Sequence, residues 1–331
     1  MEKNMIRSLV TGAAGFLGSH LVDHLIKEGH EVIALDNEAN GTWENLAQWS
    51  NHPRFKKVHQ DILELSCDDP HFQNLDYIFH LAGLECPISS IKNPEVFFTT
   101  NVNGTIKVLQ AARQSDLKKF IFASSSSIYG VASTPTLETD STHPLTPSGL
   151  SKLQAEEAVF HWGELFSLPT VSLRIFNAYG PRNISRLFPG SVFSLWMKQK
   201  AEGMNLTIVG NGQHARDFVY CTDVSNALYI AAIEGNDGEA YNVGSGRSIE
   251  LCELATLLKS KTTSLKDLKD EPIKVWADIS KFQFDCNWQP RVPIESGVAF
   301  SLDVLEDWNK APLWDTSKLD SFFSTWFEVY S

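Results

Sequence analysis

Cysteine is scarce and badly placed for cross-linking: the five in 331 residues (Cys67, Cys86, Cys221, Cys252 and Cys286) are scattered, odd in number and include no C-x-x-C pair. That speaks against a disulfide framework and a thiolate zinc site, so no metal is expected and a reducing cytoplasm fits best. Basic residues are also short, 28 Lys and Arg against 40 Asp and Glu, for a net charge of −12. Such a balance disfavours nonspecific binding to nucleic acid, so local groups must hold any phosphate ligand and a small molecule is the expected partner. No apolar run is long enough to cross a bilayer. Internal repeats and low-complexity linkers are missing too, and residues 258–271, rich in Lys, Ser, Thr and Asp, read as a loop.

What is present is ample for a core, since 43% of the residues are hydrophobic and a chain of this length makes one large domain or two merged ones. The opening MEKNMIRSLVTGAAGFLGSHLV sets Lys3 and Arg7 before an apolar run, as a signal peptide does. Its glycines equally fit a strand, a turn and a helix start, and that reading connects to the strand EVIALD next in the chain. Strand-like runs (IRSLV, EVIALD, DYIFHLA, KKFIFASS, TVSLRIF) alternate with helical patterns in GFLGSHLVDHLIKEG, in residues 94–116 and in residues 148–166. Alternation of this kind predicts an α/β chain, a doubly wound parallel sheet of Rossmann type with helices on both faces. Beyond Gly180 the rhythm loosens into strands LTIVG, DFVY and EAYNVG and helices near 222–234, 249–260 and 295–307, which predict a smaller interwoven C-terminal region. Residues 1–180 with 217–247 are expected to form one domain, and 181–216 with 248–331 the other.

TGAAGFLG places Gly12, Gly15 and Gly18 straight after a strand and at the opening of a helix, where glycines let backbone approach a pyrophosphate. The next strand ends in Asp36, eighteen residues beyond Gly18, close to the roughly 20-residue spacing expected of a carboxylate that bonds an adenosine ribose. A carboxylate there repels a 2′-phosphate, which favours NAD over NADP.

Those glycines, with HLAG at 80–83, TNVNGT at 100–105, SSSSIYG at 124–130, RIFNAYGPR at 174–182 and RDFVYCTDV at 216–224, resemble the extended short-chain dehydrogenase/reductase family. Within it the chain is similar to the nucleotide-sugar epimerases and dehydratases, the UDP-galactose 4-epimerases above all, from about residue 6 to about residue 308. The resemblance implies that Phe16, Leu17 and Asn37 join the glycines and Asp36 around the cofactor, and that Asp61 and Ile62 lie along the adenine. It also implies that Leu81, Ala82 and Gly83 pass beside NAD and that Asn101 supports the strand ends. A homodimer is implied as well, with helices 94–116 and 148–166 paired against their copies.

In such epimerases a tyrosine and a lysine stand four residues apart on one helix, below a Ser or Thr at a strand end. Spacing of four puts both side chains on one helix face. The corresponding strand-end residue is Ser125 and the lysine is Lys152, which also reaches the ribose. The tyrosine position is Ser148. A phenol has a pKa of about 10 that a nearby ammonium brings within reach of neutrality, whereas an aliphatic hydroxyl lies several units higher. Ser148 is therefore a poor base, and losing a general base costs about 10² to 10⁴ in rate. Glu85 and Cys86 follow HLAG directly, where the chain of a similar epimerase enters the substrate pocket, and either side chain has acid–base chemistry. The plainer reading, a solvated loop acid and a packed thiol, is preferred for want of spacing that ties them to a sugar. Tyr129 reads as core. The Asp-Glu pair of the 4,6-dehydratases is replaced by Ser126 and Ser127, which argues against dehydration.

Asn177 and Arg216 match positions that hold the nucleotide diphosphate in similar epimerases, and an arginine fork suits paired phosphate oxygens. A local ion pair between Arg216 and Asp217 is the competing reading. Leu206, in LTIVG, is expected to meet the base through its backbone. Where the family often reads Arg-Pro-Gly-Asp ahead of Trp-Ala-Asp, this chain has LKDE at 268–271, so the second phosphate arginine is missing unless Lys266 or Lys269 replaces it. Trp288, Trp308, Trp314 and Trp326 read as anchors of the C-terminal segment. Three functions stay open: an NAD-dependent nucleotide-sugar 4-epimerase with a substituted base, a non-catalytic protein that binds NAD and a nucleotide-diphosphate sugar, and a dehydratase or decarboxylase working from the same keto sugar.

Overall fold

Strands that are buried along their whole length form the centre of the molecule. The computed structural model describes residues 5–187, 189–266 and 272–329. In chain order the strands are β1 (Arg7–Thr11), β2 (Glu31–Asp36), β3 (Phe55–His59), β4 (Tyr77–His80), β5 (Lys119–Ser125) and β6 (Thr170–Ile175). The short β7 (Asn177–Tyr179), β8 (Leu206–Val209), β9 (Ala215–Arg216) and β10 (Phe218–Tyr220) come next, followed by β11 (Glu239–Val243). Three more short strands complete the set, β12 (Ile249–Glu250), β13 (Thr262–Leu265) and β14 (Lys274–Val275). One sheet has seven strands in the order β11-β6-β5-β4-β1-β2-β3, every pair parallel. This is the Rossmann-type α/β sheet that the alternating pattern predicts.

The helices are α1 (Phe16–Lys27), α2 (Pro87–Lys92), α3 (Pro94–Phe98), α4 (Gly104–Ala112), α5 (Pro147–Phe166), α6 (Val192–Ala201), α7 (Cys221–Glu234), α8 (Leu251–Leu257), α9 (Ser280–Cys286), α10 (Ile294–Asp303) and α11 (Thr316–Val329). A strand's side chains alternate between faces, and β5 shows the result. Ile121 and Ala123 enter the cluster that holds Leu21 and Val22 of α1 with Ala227 and Leu228 of α7. Phe120 and Phe122 enter the opposite cluster, with Val108 and Leu109 of α4 and Ala155 and Val159 of α5. Each such fully buried Phe is worth about 1.5–3 kcal/mol of transfer free energy. A third cluster, built by Phe193, Trp196, Leu206, Ile208, Leu254 and Trp308, sits on the C-terminal elements.

Several boundaries differ from the sequence reading. The helix expected over 94–116 is α3, a π turn at Thr99–Asn103, and α4, which ends at Ala112. The expected helix 249–260 is the shorter α8, and 295–307 is α10 followed by a 3-10 turn at Leu305–Lys310. The expected loop at 258–271 contains β13, while 267–271, with Lys269 and the LKDE stretch, lie outside the described residues. β3 escapes pattern reading because it is an edge strand: in FKKVH only Val58 is buried. Trp288, Trp308 and Trp326 are buried anchors.

Candidate active site

Because every strand of the sheet runs the same way, the loops that leave their C-terminal ends open onto one edge. The order of strands reverses beside β1, with β2 on one side and β4 on the other, and such a switch point leaves a crevice beyond the strand ends. A cavity of about 1110 Å³ occupies it.

The glycine turn after β1 forms one end. Gly12 adopts φ +68°, and a Cβ there would lie 2.8 Å from the Ala82 nitrogen; a Cβ on Gly18 would lie 2.0 Å from the Gly12 carbonyl oxygen. Strand, turn and helix pack too closely for any other residue at these two positions. α1 starts after Gly15 with no side-chain cap, and Gly15, Phe16, Leu17 and Gly18 line the cavity. Uncapped N–H groups and the positive end of the helix dipole fit a pyrophosphate. Asp36 lies on the same wall, accepting the N–H of Ala14 at 2.9 Å and of Glu38 at 2.7 Å. Burial pushes its carboxyl pKa up, against the pull of these two N–H groups. Asp61 accepts from Leu63 N–H and from Asn37 Nδ2, both at 2.8 Å, which fixes Asn37, Asp61 and Ile62 as a neighbouring stretch of wall.

At the middle of the cavity stand Leu81, Ala82, Gly83, Glu85, Cys86, Ser125 and Lys152. Lys152 Nζ donates to the Ala123 carbonyl at 2.8 Å; desolvation lowers its pKa, while Glu85 and then Glu156 pull the other way. Ser125 Oγ donates to Glu85 Oε1 at 2.5 Å and accepts from the hydroxyl and the N–H of Ser127 at 2.9 and 3.1 Å. The Glu85 carboxylate is thus tied to the strand-end hydroxyl, while the residue itself is exposed, as a loop acid is. Cys86 is buried, its Sγ bonds Ser89 Oγ at 3.3 Å, and burial pushes its thiol pKa up. That environment disfavours a thiolate. Tyr129 lies in the core: its hydroxyl donates to Asn242 Oδ1 at 2.7 Å, and burial raises its pKa to about 12.

Three residues named from sequence do not line the cavity. Ser148, 1% exposed, turns its hydroxyl to the backbone N–H of Cys86 at 3.3 Å. Asn101 lies in the π turn, where its Oδ1 accepts the Leu84 N–H at 2.7 Å and its Nδ2 donates to the Leu84 carbonyl and Ser151 Oγ, each at 2.9 Å. It grips the loop after β4 instead of facing a ligand. Leu206 is fully buried and gives its N–H to the Lys261 carbonyl at 2.8 Å. The alternation of β8 presents Thr207 and Val209 to the cavity in its place.

Asn177, Arg216 and Val275 line the far end. Arg216 donates to the carbonyls of Ala215 at 3.0 Å and Ile273 at 3.3 Å. Asp217, fully buried, accepts the N–H and hydroxyl of Ser245 and the N–H groups of Gly246 and Ala277. Lys266 stacks over the Phe327 ring at 4.5 Å. Phe322, Phe323 and Trp326 of α11 also border the cavity. No motif marks them, although their helical spacing beside Leu319 is visible in the sequence. Among the described residues no cluster of His, Cys, Asp and Glu could hold a metal, and no helix is long and apolar enough to cross a membrane.

Known proteins share this arrangement of sheet and sequence. Residues 8–244 match the model of the NAD-dependent epimerase/dehydratase family. UDP-glucuronic acid decarboxylase 1 of Xenopus tropicalis is 32% identical over 90% of this chain and 71% of its own. A putative UDP-glucose 4-epimerase of Methanocaldococcus jannaschii is 31% identical over 91% and 99%. The crystal structure of UDP-glucuronic acid 4-epimerase from Bacillus cereus, in complex with UDP-glucuronic acid and NAD, superposes with a TM-score of 0.85 at 31% identity, covering 91% of this chain and 99% of that one. By sequence and by fold, this chain belongs to the NAD-dependent epimerase/dehydratase family.

Proposed function

We propose that this chain binds NAD and a nucleoside-diphosphate sugar and works as a nucleotide-sugar 4-epimerase in which Ser148 stands where the tyrosine of its family is found. The observation that carries this reading is the continuity of one cavity from the glycine turn and Asp36, past Ser125 and Lys152, to Thr207 and Arg216. Bound NAD supplies the oxidant, accepting hydride from the sugar carbon and returning it. The chain's own part is to hold and shape. Gly12, Gly15, Phe16, Leu17 and Gly18 receive the pyrophosphate, Asp36 the adenosine ribose, Asp61 and Ile62 the adenine, and Lys152 the nicotinamide ribose. Asn177 and Arg216 hold the diphosphate of the sugar nucleotide, so residues 1–180 with 217–247 carry the cofactor and 181–216 with 248–331 the substrate. A cytoplasmic homodimer completes the proposal.

One observation favours a second reading. The Ser148 hydroxyl, buried and bonded to backbone, leaves the Tyr-x-x-x-Lys pair without its base, as in a non-catalytic protein that binds both ligands. Proton NMR of UDP-glucose, UDP-N-acetylglucosamine, dTDP-glucose and UDP-glucuronate incubated with the protein and with Ser148→Tyr separates the two. Inversion at C4 by the unaltered protein is expected. Turnover by the variant alone would make the unaltered chain a binding protein, and loss of the sugar carboxyl from UDP-glucuronate would make it a decarboxylase.

A further inference from the structure

The residue that displaced the tyrosine and the carboxylate nearest the strand-end serine belong to one arrangement. Ser148 Oγ receives the Cys86 N–H at 3.3 Å, and Asn101 clamps both backbone groups of Leu84, at 2.7 and 2.9 Å. Glu85 lies between these two fixed residues. Its backbone is held from both sides and its side chain reaches into the cavity, where Ser125 Oγ donates to Oε1 at 2.5 Å. Among the described residues Oε2 has no hydrogen-bond partner. Lys152, bonded to the Ala123 carbonyl, is near enough that the Glu85 charge favours its ammonium. Glu85 is exposed, yet a fixed loop, an orienting donor, an open oxygen and a nearby cation together are what a general base at the mouth of a site uses.

We infer that Glu85 is the proton acceptor of this site and that Ser148 is its positioning residue. The inference rests on the epimerase reading. The sugar C4 hydroxyl gives its proton to Glu85 Oε2, the electron pair of the O–H bond becomes the second bond of the C4 ketone, and the C4 hydride leaves to NAD. Return of hydride to the other face takes the same proton back from Glu85, so the carboxylate is regenerated and no outside reductant is consumed. A phenol at position 148 reaches the hydroxyl from the helix; Glu85 reaches it from the loop that Ser148 secures.

The test uses the full chain loaded with NAD, as unaltered protein, Glu85→Gln, Glu85→Asp and Ser148→Ala, with the same panel of nucleotide sugars. Glu85→Gln should bind UDP-glucose by calorimetry within about threefold of the unaltered protein yet invert C4 about 10² to 10⁴ more slowly. Glu85→Asp should recover part of the rate. Independently of turnover, the labelled carboxyl carbon signal that Glu85→Gln deletes should move when UDP-glucose binds, and should already be displaced in Ser148→Ala. Undiminished turnover by Glu85→Gln, or a Glu85 carboxyl signal indifferent to UDP-glucose, overturns the assignment. Binding with no turnover of any sugar also overturns it, in favour of the non-catalytic reading. Failure to bind NAD or UDP-glucose in calorimetry sinks the epimerase reading itself and the assignment with it.

Discussion

The hydroxyl of Ser148 is spent on the backbone of Cys86, 3.3 Å away. A side chain one turn before Lys152 lies on the same helix face as that lysine, and in this chain it serves the loop after β4 and does not line the cavity. Two positions more than sixty residues apart in sequence are therefore joined by one hydrogen bond.

Ser148→Ala should destabilise the fold, because it leaves the Cys86 N–H, on a buried residue, without its acceptor, at a cost of about 1–3 kcal/mol. Ser148→Tyr should cost about 1–3 kcal/mol for a different reason, the overpacking of a site only 1% exposed. Urea unfolding of both variants checks the pair. An alanine variant as stable as the parent would show that the bond carries no weight.

Asp36 is expected to set cofactor choice. Removing its carboxylate in Asp36→Ala loses a charge-assisted bond to the ribose, worth about 1.5–3 kcal/mol or roughly 10- to 150-fold in NAD affinity. Repulsion of a 2′-phosphate disappears with it, so NADPH should lose less affinity than NADH, or gain some. Fluorescence titration with each reduced cofactor reads the ratio, and an unchanged ratio would remove Asp36 from the role.

Arg216 should matter by its shape as well as its charge. Its Nη1 is held by the Ala215 and Ile273 carbonyls. Arg216→Ala should weaken UDP binding by about 10- to 100-fold, and Arg216→Lys should recover little, since an ammonium cannot bond two phosphate oxygens in parallel. Calorimetry with UDP alone isolates this effect from the chemistry.

The elements legible in the sequence are those whose pattern is forced by burial on two sides. β5 and β6 are buried at every residue because both faces are covered, and each carries β-branched or aromatic residues, while the glycine turn is readable because Gly12 and Gly18 admit no Cβ. Contacts made across the chain leave no such trace. Nothing in GLE says that Glu85 will meet Ser125, because the two are forty residues apart with three helices between them. LTIVG read alone does not say which of its side chains turn to the cavity; the pleat gives that place to Thr207 and Val209 and buries Leu206. α11 carries no chemical motif, and its packing against Ile88 of α2 and into the C-terminal core through Leu319 brings Phe322, Phe323 and Trp326 to the cavity.

Beneath the site lies a buried ion pair on which α5 depends. Arg174 on β6 bonds Glu156 through Nε at 3.1 Å and Nη2 at 2.8 Å, and its Nη1 reaches the Tyr129 hydroxyl at 2.9 Å. Breaking such a pair leaves an uncompensated buried charge, so Arg174→Met or Glu156→Leu alone should cost about 3–5 kcal/mol. The double variant should recover much of that loss, since no charge is then stranded. Denaturant midpoints for the three proteins give the coupling, and simple additivity of the single effects would contradict it.

Acid should weaken this protein through its histidines whose pKa is lowered, the buried His80 and the half-buried His20 most of all, with His24 and His30 shifted the same way. His80 lies between Thr11 Oγ1 at 2.7 Å and Thr105 Oγ1 at 2.9 Å, and burial lowers its pKa from 6.5 to about 3. His20, bonded to the Pro181 carbonyl at 3.0 Å, is lowered to about 4, again chiefly by burial. The folded value lies below the unfolded one, so the unfolded chain takes up protons first as pH falls through 6.5, and stability present above that pH is lost progressively towards the folded values. Each histidine contributes a slope of at most about 1.4 kcal/mol per pH unit. Between about pH 6.5 and 5, where carboxylates contribute little, unfolding free energy should therefore drop with acidification. Replacing His20 by Gln should flatten that drop while leaving the core around β4 intact, and His80→Gln, where it folds, should flatten it further. A drop of the same steepness in the His20→Gln protein would show that His20 does not set it.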